Sequence, residues 1–190
     1  MILLVLSYLL GSIPFGLLVA KYVKGHDIRK TGSGNIGATN VFRTSGKALG
    51  LLTFFLDMAK GIPTVLLADG NSWLEWGCAL MVMLGHIFPV WLKFRGGKGV
   101  ATYIGVVMAL NFKVGASMII LWLSCLVAFR ISSLGSLVST GLAPFLSLLW
   151  SGGWQLFFLT LGLSTLVWAR HWANIKRLWH GKETKIISKK

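Results

Sequence analysis

Acidic residues are scarce in this sequence. Only five of its 190 residues are aspartate or glutamate, against 19 lysines and arginines, while 55% are hydrophobic and the mean hydropathy is +0.72. A water-soluble domain of this composition would lack the polar surface needed to cover it. The scarcity therefore excludes a soluble single domain and predicts an integral membrane protein.

Cysteine and clustered aspartate are nearly absent as well. Cys78 and Cys125 both lie inside apolar runs without metal-ligand spacing, which predicts packing roles rather than a disulfide or a metal site. No aspartate cluster that could hold Mg²⁺ occurs, which argues against a phosphoalcohol transferase acting on an activated nucleotide. We therefore expect no metal and no cofactor.

The formal net charge of +14 raises the question of nucleic acid binding. In nucleic-acid-binding proteins the basic residues line a solvated face, whereas here they lie in short gaps between apolar runs. We therefore expect a lipid bilayer as the surroundings of this chain and no nucleic acid partner.

Seven apolar segments are candidates for membrane-spanning helices. The N-terminal one lacks a basic n-region and continues to about Val23, which predicts a retained span rather than a signal peptide. The weakest one, residues 100–112, is short for a span, so we expect it to be sheltered by its neighbours. The segments cover residues 2–22, 48–68, 73–92, 100–112, 114–130, 134–150 and 154–171.

The distribution of lysine and arginine favours seven spans over six, because basic residues of short loops remain on the cytoplasmic side. With the N-terminus outside, all basic residues except Lys60 and Lys113 fall on that side. Omitting residues 100–112 would put the tail opposite the first loop. We predict an all-α integral membrane protein with seven transmembrane helices and a cytoplasmic C-terminus, forming a single polytopic domain over residues 1–190. Its cytoplasmic parts are predicted near 23–47, 93–99 and 130–134 and in the tail, 171–190.

Three polar stretches fall on this predicted cytoplasmic side. The first is TGSGNIGATNVFR (31–43), the second GHIFPVWLKFRGGKGVAT (85–102) and the third ARHWANIKRLWHGKE (169–183). Glycines leave backbone N–H groups accessible, and GGKG leading into a predicted helix is typical of an anion-binding loop, although it is not a Walker A motif. The stretches predict binding of phosphate-like groups without a metal. Helix packing by glycine and topology or headgroup contacts by the cations are the structural alternatives.

A few isolated residues are candidates for further roles. Asp57 and Lys60 lie one helical turn apart and can form a mutually neutralising structural pair, with substrate contact as the alternative. His86 and His171 lie in the second and third polar stretches and are each a candidate for substrate contact or for a structural role. His26 and His180 are predicted to be ordinary interfacial residues.

The stretches SGNIGATNVFR, GHIFPVWLKFRGGKGVAT, RISSLGS and NIKRLWHGKE closely resemble the signatures of the bacterial acyl-phosphate:glycerol-3-phosphate acyltransferases. The resemblance covers essentially the whole chain. It implies a seven-helix inner-membrane enzyme of phospholipid synthesis that transfers a fatty acyl group from acyl phosphate to the 1-hydroxyl of sn-glycerol 3-phosphate, giving lysophosphatidic acid and phosphate. Coenzyme A and acyl carrier protein thioesters are not implied, and the HxxxxD pair of thioester-dependent glycerolipid acyltransferases is absent. The soluble enzyme that makes acyl phosphate is a further expected partner.

Resemblance and chemistry together assign site residues. In the first stretch, phosphate binding is expected from Ser33, Asn35, Thr39, Asn40 and Arg43, the last able to bind bidentately. Lys98, flanked by Gly96, Gly97 and Gly99, is expected to neutralise the acyl phosphate and stabilise the transition state. The catalytic set comprises Lys98, Ser136, His171 and Asn174. His86, Arg177 and Glu183 are assigned to substrate binding, Glu183 by orienting Arg177 or Lys98 or by holding the tail in place.

No Ser-His-Asp or Cys-His arrangement is readable in the sequence. We therefore expect substrate-assisted catalysis, in which the phosphate of acyl phosphate takes the proton of the attacking hydroxyl. This requires Arg43, Lys98 and Asn174 to meet at a common pair of anionic headgroups. A permease for phosphorylated metabolites is the alternative from another class, but such proteins usually show two related halves and a polar site at the bilayer midplane, and the sequence shows neither.

Overall fold

The computed structural model of the protein describes residues 1–68, 70 and 72–186. Over this part of the chain every regular element is a helix and no strand occurs, so the predicted all-α class is confirmed. Residues 187–190, the end of the predicted cytoplasmic tail, lie outside the described residues. The α-helices are α1 (Ile2–Gly11), α2 (Phe15–Lys24), α3 (Ala38–Ser45), α4 (Lys47–Ala59), α5 (Pro63–Leu66), α6 (Ser72–Ile87), α7 (Val100–Leu110), α8 (Phe112–Phe129), α9 (Ser132–Leu149), α10 (Gly153–Arg170) and α11 (Trp172–Trp179).

Within the described residues, four helical segments are long and apolar enough to cross a bilayer, and a bent pair of helices adds a fifth if it forms one span. α7 is apolar but short, and α10 carries Gln155 and Arg170 near its ends. The membrane character of the chain is therefore clear, whereas the count of seven spans stays a prediction. The four segments are Lys47–Leu66, Ser72–Leu92, Phe112–Phe129 and Ser132–Leu149.

The first predicted span is broken in the middle. Instead of one helix over residues 2–22, the chain forms α1 and α2, whose axes differ by 42°. The break falls at Ser12, Ile13 and Pro14, because proline has no backbone N–H and disfavours helical geometry in the residue before it. Ser12 turns its hydroxyl back to the Tyr8 carbonyl at 2.8 Å, which satisfies a polar group that lipid could not.

The chain divides into two compact units, Met1–Ala109 and Leu110–Lys190. In the first unit α1 packs along α6, and α3 packs on α4. The loop before α3 is anchored by an apolar core that includes Ile28, Ile36 and Val41. This core fixes the first polar stretch against α2.

In the second unit, α9 packs against both α8 and α10. Its buried face is rich in hydroxyl groups, which are satisfied inside the protein: the Ser164 hydroxyl of α10 donates to the Thr140 carbonyl of α9 at 2.6 Å. Such interhelical hydrogen bonds are typical of membrane helices, where small polar residues allow close approach.

Candidate functional site

The first polar stretch is a loop held from inside by one buried side chain, that of Asn40. Its Oδ1 accepts a hydrogen bond from the Ser33 backbone N–H at 3.0 Å. Its Nδ2 lies 3.2, 3.0 and 2.9 Å from the carbonyl oxygens of Ile28, Thr31 and Asn35. Asn40 is only 2% exposed, so these contacts within the fold determine the shape of the loop.

The other predicted phosphate-binding residues of this stretch lie on the loop that Asn40 holds or on α3 itself. Ser33 is exposed on the loop, and the Asn35 side chain accepts from the Gly37 N–H at 3.1 Å just before α3 begins. Thr39 and Arg43 are half-buried and one helical turn apart, so they share a face of α3. The structure thus brings all five predicted residues into one loop-and-helix segment of the first unit.

Replacing Asn40 by alanine is expected to lower kcat/KM by about 10- to 100-fold, because a displacement of about 1 Å in a substrate-positioning group has this effect. The loop carbonyls and the Ser33 N–H would lose their common partner. The measurement is steady-state kinetics together with thermal unfolding in detergent. Thr44→Val is the matched control. It also removes a hydrogen-bonding group from α3, but the Thr44 hydroxyl donates to the Asn40 carbonyl of the helix itself, at 2.8 Å, rather than to the loop. Parental kinetics in a folded Asn40→Ala protein would contradict this role.

The second polar stretch leaves α6, makes a short 3-10 turn over Val90–Leu92 and returns along the end of α6. The N–H of Gly96 donates to the Ile87 carbonyl at 3.0 Å, and that of Gly97 to the His86 carbonyl at 3.1 Å. Gly99 has φ of 86°, a left-handed conformation that glycine adopts without strain, and its carbonyl accepts from Tyr103 as α7 begins. Lys98 therefore lies between Gly97, whose N–H is bonded to the end of α6, and Gly99, whose carbonyl accepts the hydrogen bond from Tyr103 in α7.

These hydrogen bonds correct part of the sequence-based interpretation. The prediction treated the N–H groups of Gly96 and Gly97 as open donors for an anion, whereas the fold uses both of them to attach the loop to α6. Sequence spacing could not reveal this, because the acceptors are backbone carbonyls about ten residues earlier. The glycines therefore matter here for close approach rather than as open donors.

His86 lies at the end of α6 and is 5% exposed. Its Nδ1 is 3.2 Å from the Thr102 hydroxyl and 3.7 Å from Asp57 Oδ1. The predicted pair of Asp57 and Lys60 is confirmed, with 2.8 Å between Oδ1 and Nζ. Nothing in the sequence connected this pair with His86 or marked Thr102, the last residue of the second stretch, as a site residue.

In the second unit, Glu183 organises the third polar stretch. Its Oε1 accepts from the Ser133 hydroxyl at 2.9 Å and from Asn174 Nδ2 at 2.6 Å, and its Oε2 accepts from Arg177 Nε at 2.6 Å. The backbone N–H of Ile186 donates to the Arg130 carbonyl at 2.7 Å. Of the roles predicted for Glu183, the structure shows the contact with Arg177 and the attachment of the tail to the start of α9.

The ionisation of Glu183 follows from these partners. Burial opposes the charged form, but hydrogen bonds from Arg177, Asn174 and Ser133 outweigh burial and hold the pKa of Glu183 below its usual value of 4.5. Its side chain is 4% exposed. Ser133 lies in the quoted stretch RISSLGS but was not predicted as a functional residue, because only the tertiary structure brings it to the tail.

The remaining predicted catalytic residues are buried in the second unit. His171 lies between α10 and α11, and its Nδ1 is 2.8 Å from the Val167 carbonyl, so Nδ1 carries the hydrogen. The Ser136 hydroxyl donates to the Ser132 carbonyl at 2.9 Å in α9. Arg43 and Lys98 belong to the first unit and Asn174 to the second, and their convergence on common headgroups stays a prediction.

Apolar helices, together with polar stretches in which cations stand beside amides and hydroxyls, define a polytopic membrane protein with candidate sites for anionic groups. The family model described as glycerol-3-phosphate acyltransferase matches residues 1–181. The chain belongs to this family, as its motifs predicted.

Relatives match the chain over nearly its whole length. It is 44% identical to the glycerol-3-phosphate acyltransferase of Wolbachia pipientis subsp. Culex pipiens, with 98% of both chains covered, and 48% identical to that of Roseobacter denitrificans, with 98% of this chain and 94% of the relative covered. Solved structures of PlsY (YgiH), an integral membrane glycerol 3-phosphate acyltransferase, are similar as well. The glycerol 3-phosphate form gives a TM-score of 0.92 at 40% identity, covering 97% and 94% of the two chains, and the lysophosphatidic acid form 0.89 at 39%, covering 97% and 93%.

Proposed function

We propose that this protein acylates the 1-hydroxyl of sn-glycerol 3-phosphate and gives 1-acyl-sn-glycerol 3-phosphate, the first step of phospholipid synthesis. The observation that carries the proposal is the full-length similarity to solved structures in glycerol 3-phosphate and lysophosphatidic acid forms. Those two ligands differ by one acyl group, which is the group that the reaction transfers.

The acyl donor in this proposal is a fatty acyl phosphate. The hydroxyl oxygen of glycerol 3-phosphate attacks the acyl carbonyl carbon, the bond from that carbon to the phosphate oxygen breaks, and the hydroxyl proton passes to the departing phosphate. The motif resemblance and the absence of an HxxxxD pair support this donor over a thioester. Phosphate is a good leaving group in a mixed anhydride. The protein therefore needs only to position the substrates and to stabilise the charge of the transition state.

Most of the predicted site residues have a proposed role in this reaction. Arg43, with Ser33, Asn35 and Thr39, binds a substrate phosphate, and Asn40 contributes by holding their loop. Lys98 stabilises the negative charge that develops in the transition state. His171, Asn174 and Ser136 complete the polar surroundings of the reacting groups. Arg177 contributes positive charge, while Glu183 orients Asn174 and Arg177.

The proposed setting is the bacterial inner membrane, crossed seven times, with the N-terminus outside and the site facing the cytoplasm. The positive-inside distribution supports this arrangement, since it requires both α7 and α10 to cross. α7 is largely buried within the first unit, which is how a short apolar helix can cross a bilayer. A cytoplasmic site also meets the soluble enzyme that makes acyl phosphate, the proposed protein partner.

The function is tested by supplying purified protein in detergent or lipid cubic phase with acyl phosphate and glycerol 3-phosphate in the presence of EDTA. We expect equimolar release of phosphate and lysophosphatidic acid, measured by phosphate assay and mass spectrometry. The control donors are acyl coenzyme A and the fatty acyl thioester of acyl carrier protein, and neither should give product. Product from a thioester, or none from acyl phosphate, would contradict the proposal.

Substrate-assisted transfer predicts that no acyl group becomes attached to the protein. Rapid-quench experiments with labelled acyl phosphate, with glycerol 3-phosphate left out, are expected to show no labelled peptide by mass spectrometry. Ser136 is held by its hydrogen bond to the Ser132 carbonyl, which makes it a poor nucleophile. A labelled Ser33 or Ser136 that forms without glycerol 3-phosphate, and loses its label at the rate of turnover once glycerol 3-phosphate is added, would overturn this mechanism.

A further inference from the structure

The polar cluster inside the first unit begins with a buried ion pair. The side chains of Asp57 and Lys60 are only 3% and 1% exposed, and both lie inside the span Lys47–Leu66. Charges in the membrane interior are costly unless they are paired, and they usually mark a function. Mutual neutralisation explains why the two charges are paired. It does not explain why each of the two side chains also contacts a further group.

Lys60 connects the pair to the break in the first span. Its Nζ donates to the Ile13 carbonyl at 2.8 Å, immediately before Pro14, and lies 5.7 Å from the centre of the Phe15 ring. The break exposes a backbone carbonyl that the lipid could not satisfy. Lys60 therefore fixes Asp57 relative to the α1–α2 break.

Asp57 connects the pair to His86. Its Oδ1 lies 3.7 Å from His86 Nδ1, and the Thr102 hydroxyl lies 3.2 Å from the same nitrogen. The opposite edge of the ring faces the GGKG loop: a Cβ added at Gly97 would collide with His86 Nε2. Gly97 also donates its N–H to the His86 carbonyl at 3.1 Å. His86 thus contacts Gly97 with both its ring and its backbone.

We propose that Asp57 and Lys60 are positioning residues for the acyl transfer, acting through His86 on the loop Gly96–Gly99 and so on Lys98. This rests on the function proposed above. The ion pair and Thr102 fix the orientation of the imidazole, and the imidazole supports Gly97, where only glycine fits. Rotation of the ring would displace the loop and move the Lys98 ammonium away from the charge that it stabilises. A displacement of about 1 Å is enough to lower a rate by about 100-fold.

A double-mutant cycle on Asp57 and His86 tests the proposal, because residues that act through one another have non-additive effects. Asp57→Asn and His86→Gln are each expected to lower kcat/KM by about tenfold or more. Adding Asp57→Asn to His86→Gln is expected to cost less than about twofold further. Glu75→Gln is the matched control: it removes an acid from the opposite end of α6, about 16 Å away along the helix, and should leave kinetics unchanged. Additive losses would overturn the proposal.

Folding is separated from positioning by measuring thermal unfolding and gel-filtration profiles of every variant, with activity expressed per folded molecule. Asp57→Asn/Lys60→Met removes both charges at once, so it leaves no unpaired buried ion if the single variant does not fold. We expect kcat/KM of this folded double variant to remain at least about tenfold below that of the parent protein, which corresponds to about 1.4 kcal/mol. Parental kcat/KM in it would reduce the pair to a structural role. An inactive parent protein would instead contradict the proposed function.

Discussion

Replacing Lys98 by methionine is expected to lower kcat/KM by about 100- to 1000-fold, the loss seen when one preorganised stabilising group is removed from an active site. Lys98 is half-buried between two glycines whose backbone positions are set by α6 and α7. Methionine keeps the length and apolar stem of lysine but carries no charge. The loss should appear in the chemical step, so single-turnover phosphate release is the measurement that isolates it.

Lys93→Met is the matched control for this experiment, because Lys93 is exposed at the end of the preceding 3-10 turn and carries the same charge. Its kinetics should be within about twofold of the parent protein, since an exposed charge is screened by solvent. Equal losses in Lys93→Met and Lys98→Met would show that only general positive charge matters. A fully active Lys98→Met protein would remove Lys98 from the reaction.

Glu183→Ala is expected to have the largest effect on stability, about 3 kcal/mol, because it leaves three donors without their acceptor. Those donors are the side chains of Ser133, Asn174 and Arg177. The backbone hydrogen bond from Ile186 to Arg130 should weaken as well, since the tail would lose its side-chain anchor. Thermal unfolding measures the first effect, and hydrogen exchange at the Ile186 amide measures the second.

Glu183→Gln separates the charge of Glu183 from its shape. The amide oxygen still accepts a hydrogen bond, but the NH₂ group cannot accept from Arg177, so we expect an intermediate loss of stability. Activity should fall with stability in both variants, because Asn174 is positioned by Glu183. Parental stability in Glu183→Ala would show that the tail is anchored by other contacts.

The depressed pKa of Glu183 determines how the difference in stability between the parent protein and Glu183→Ala changes with pH. Because the folded protein holds this pKa below the ordinary value of 4.5, the stabilisation is fully present above about pH 4.5 and is lost as pH falls through the folded pKa. The difference in Tm between the parent protein and Glu183→Ala should therefore be constant near neutral pH and shrink below that point. A difference that grows on acidification would contradict the assignment.

The membrane class and the helical character of the protein could be predicted from composition alone. Twenty or so consecutive apolar residues can satisfy their backbone in lipid only as a helix, so five acids and long apolar runs leave few alternatives. The motifs likewise predicted the family, because a loop of glycine, amide and cation is contiguous in sequence. Arg43, Lys98 and Glu183 were predicted as site residues in this way.

What the sequence could not provide were the partners of these residues. The break in the first span leaves the Ile13 carbonyl without a helical partner, and its donor, Lys60, is 47 residues away along the chain. The use of the Gly96 and Gly97 amides by the end of α6 is equally invisible in the spacing of GGKG.

By itself, then, the sequence determined that the protein lies in a lipid bilayer and that it is helical. It also determined which kinds of side chain its polar stretches contain, since all of this follows from local composition. The tertiary structure decided which of those residues hold others in place, such as Asn40, Asp57 and Glu183. A buried polar group must find its partner wherever the packed chain provides one, and the distance between the two along the chain has no influence on that choice.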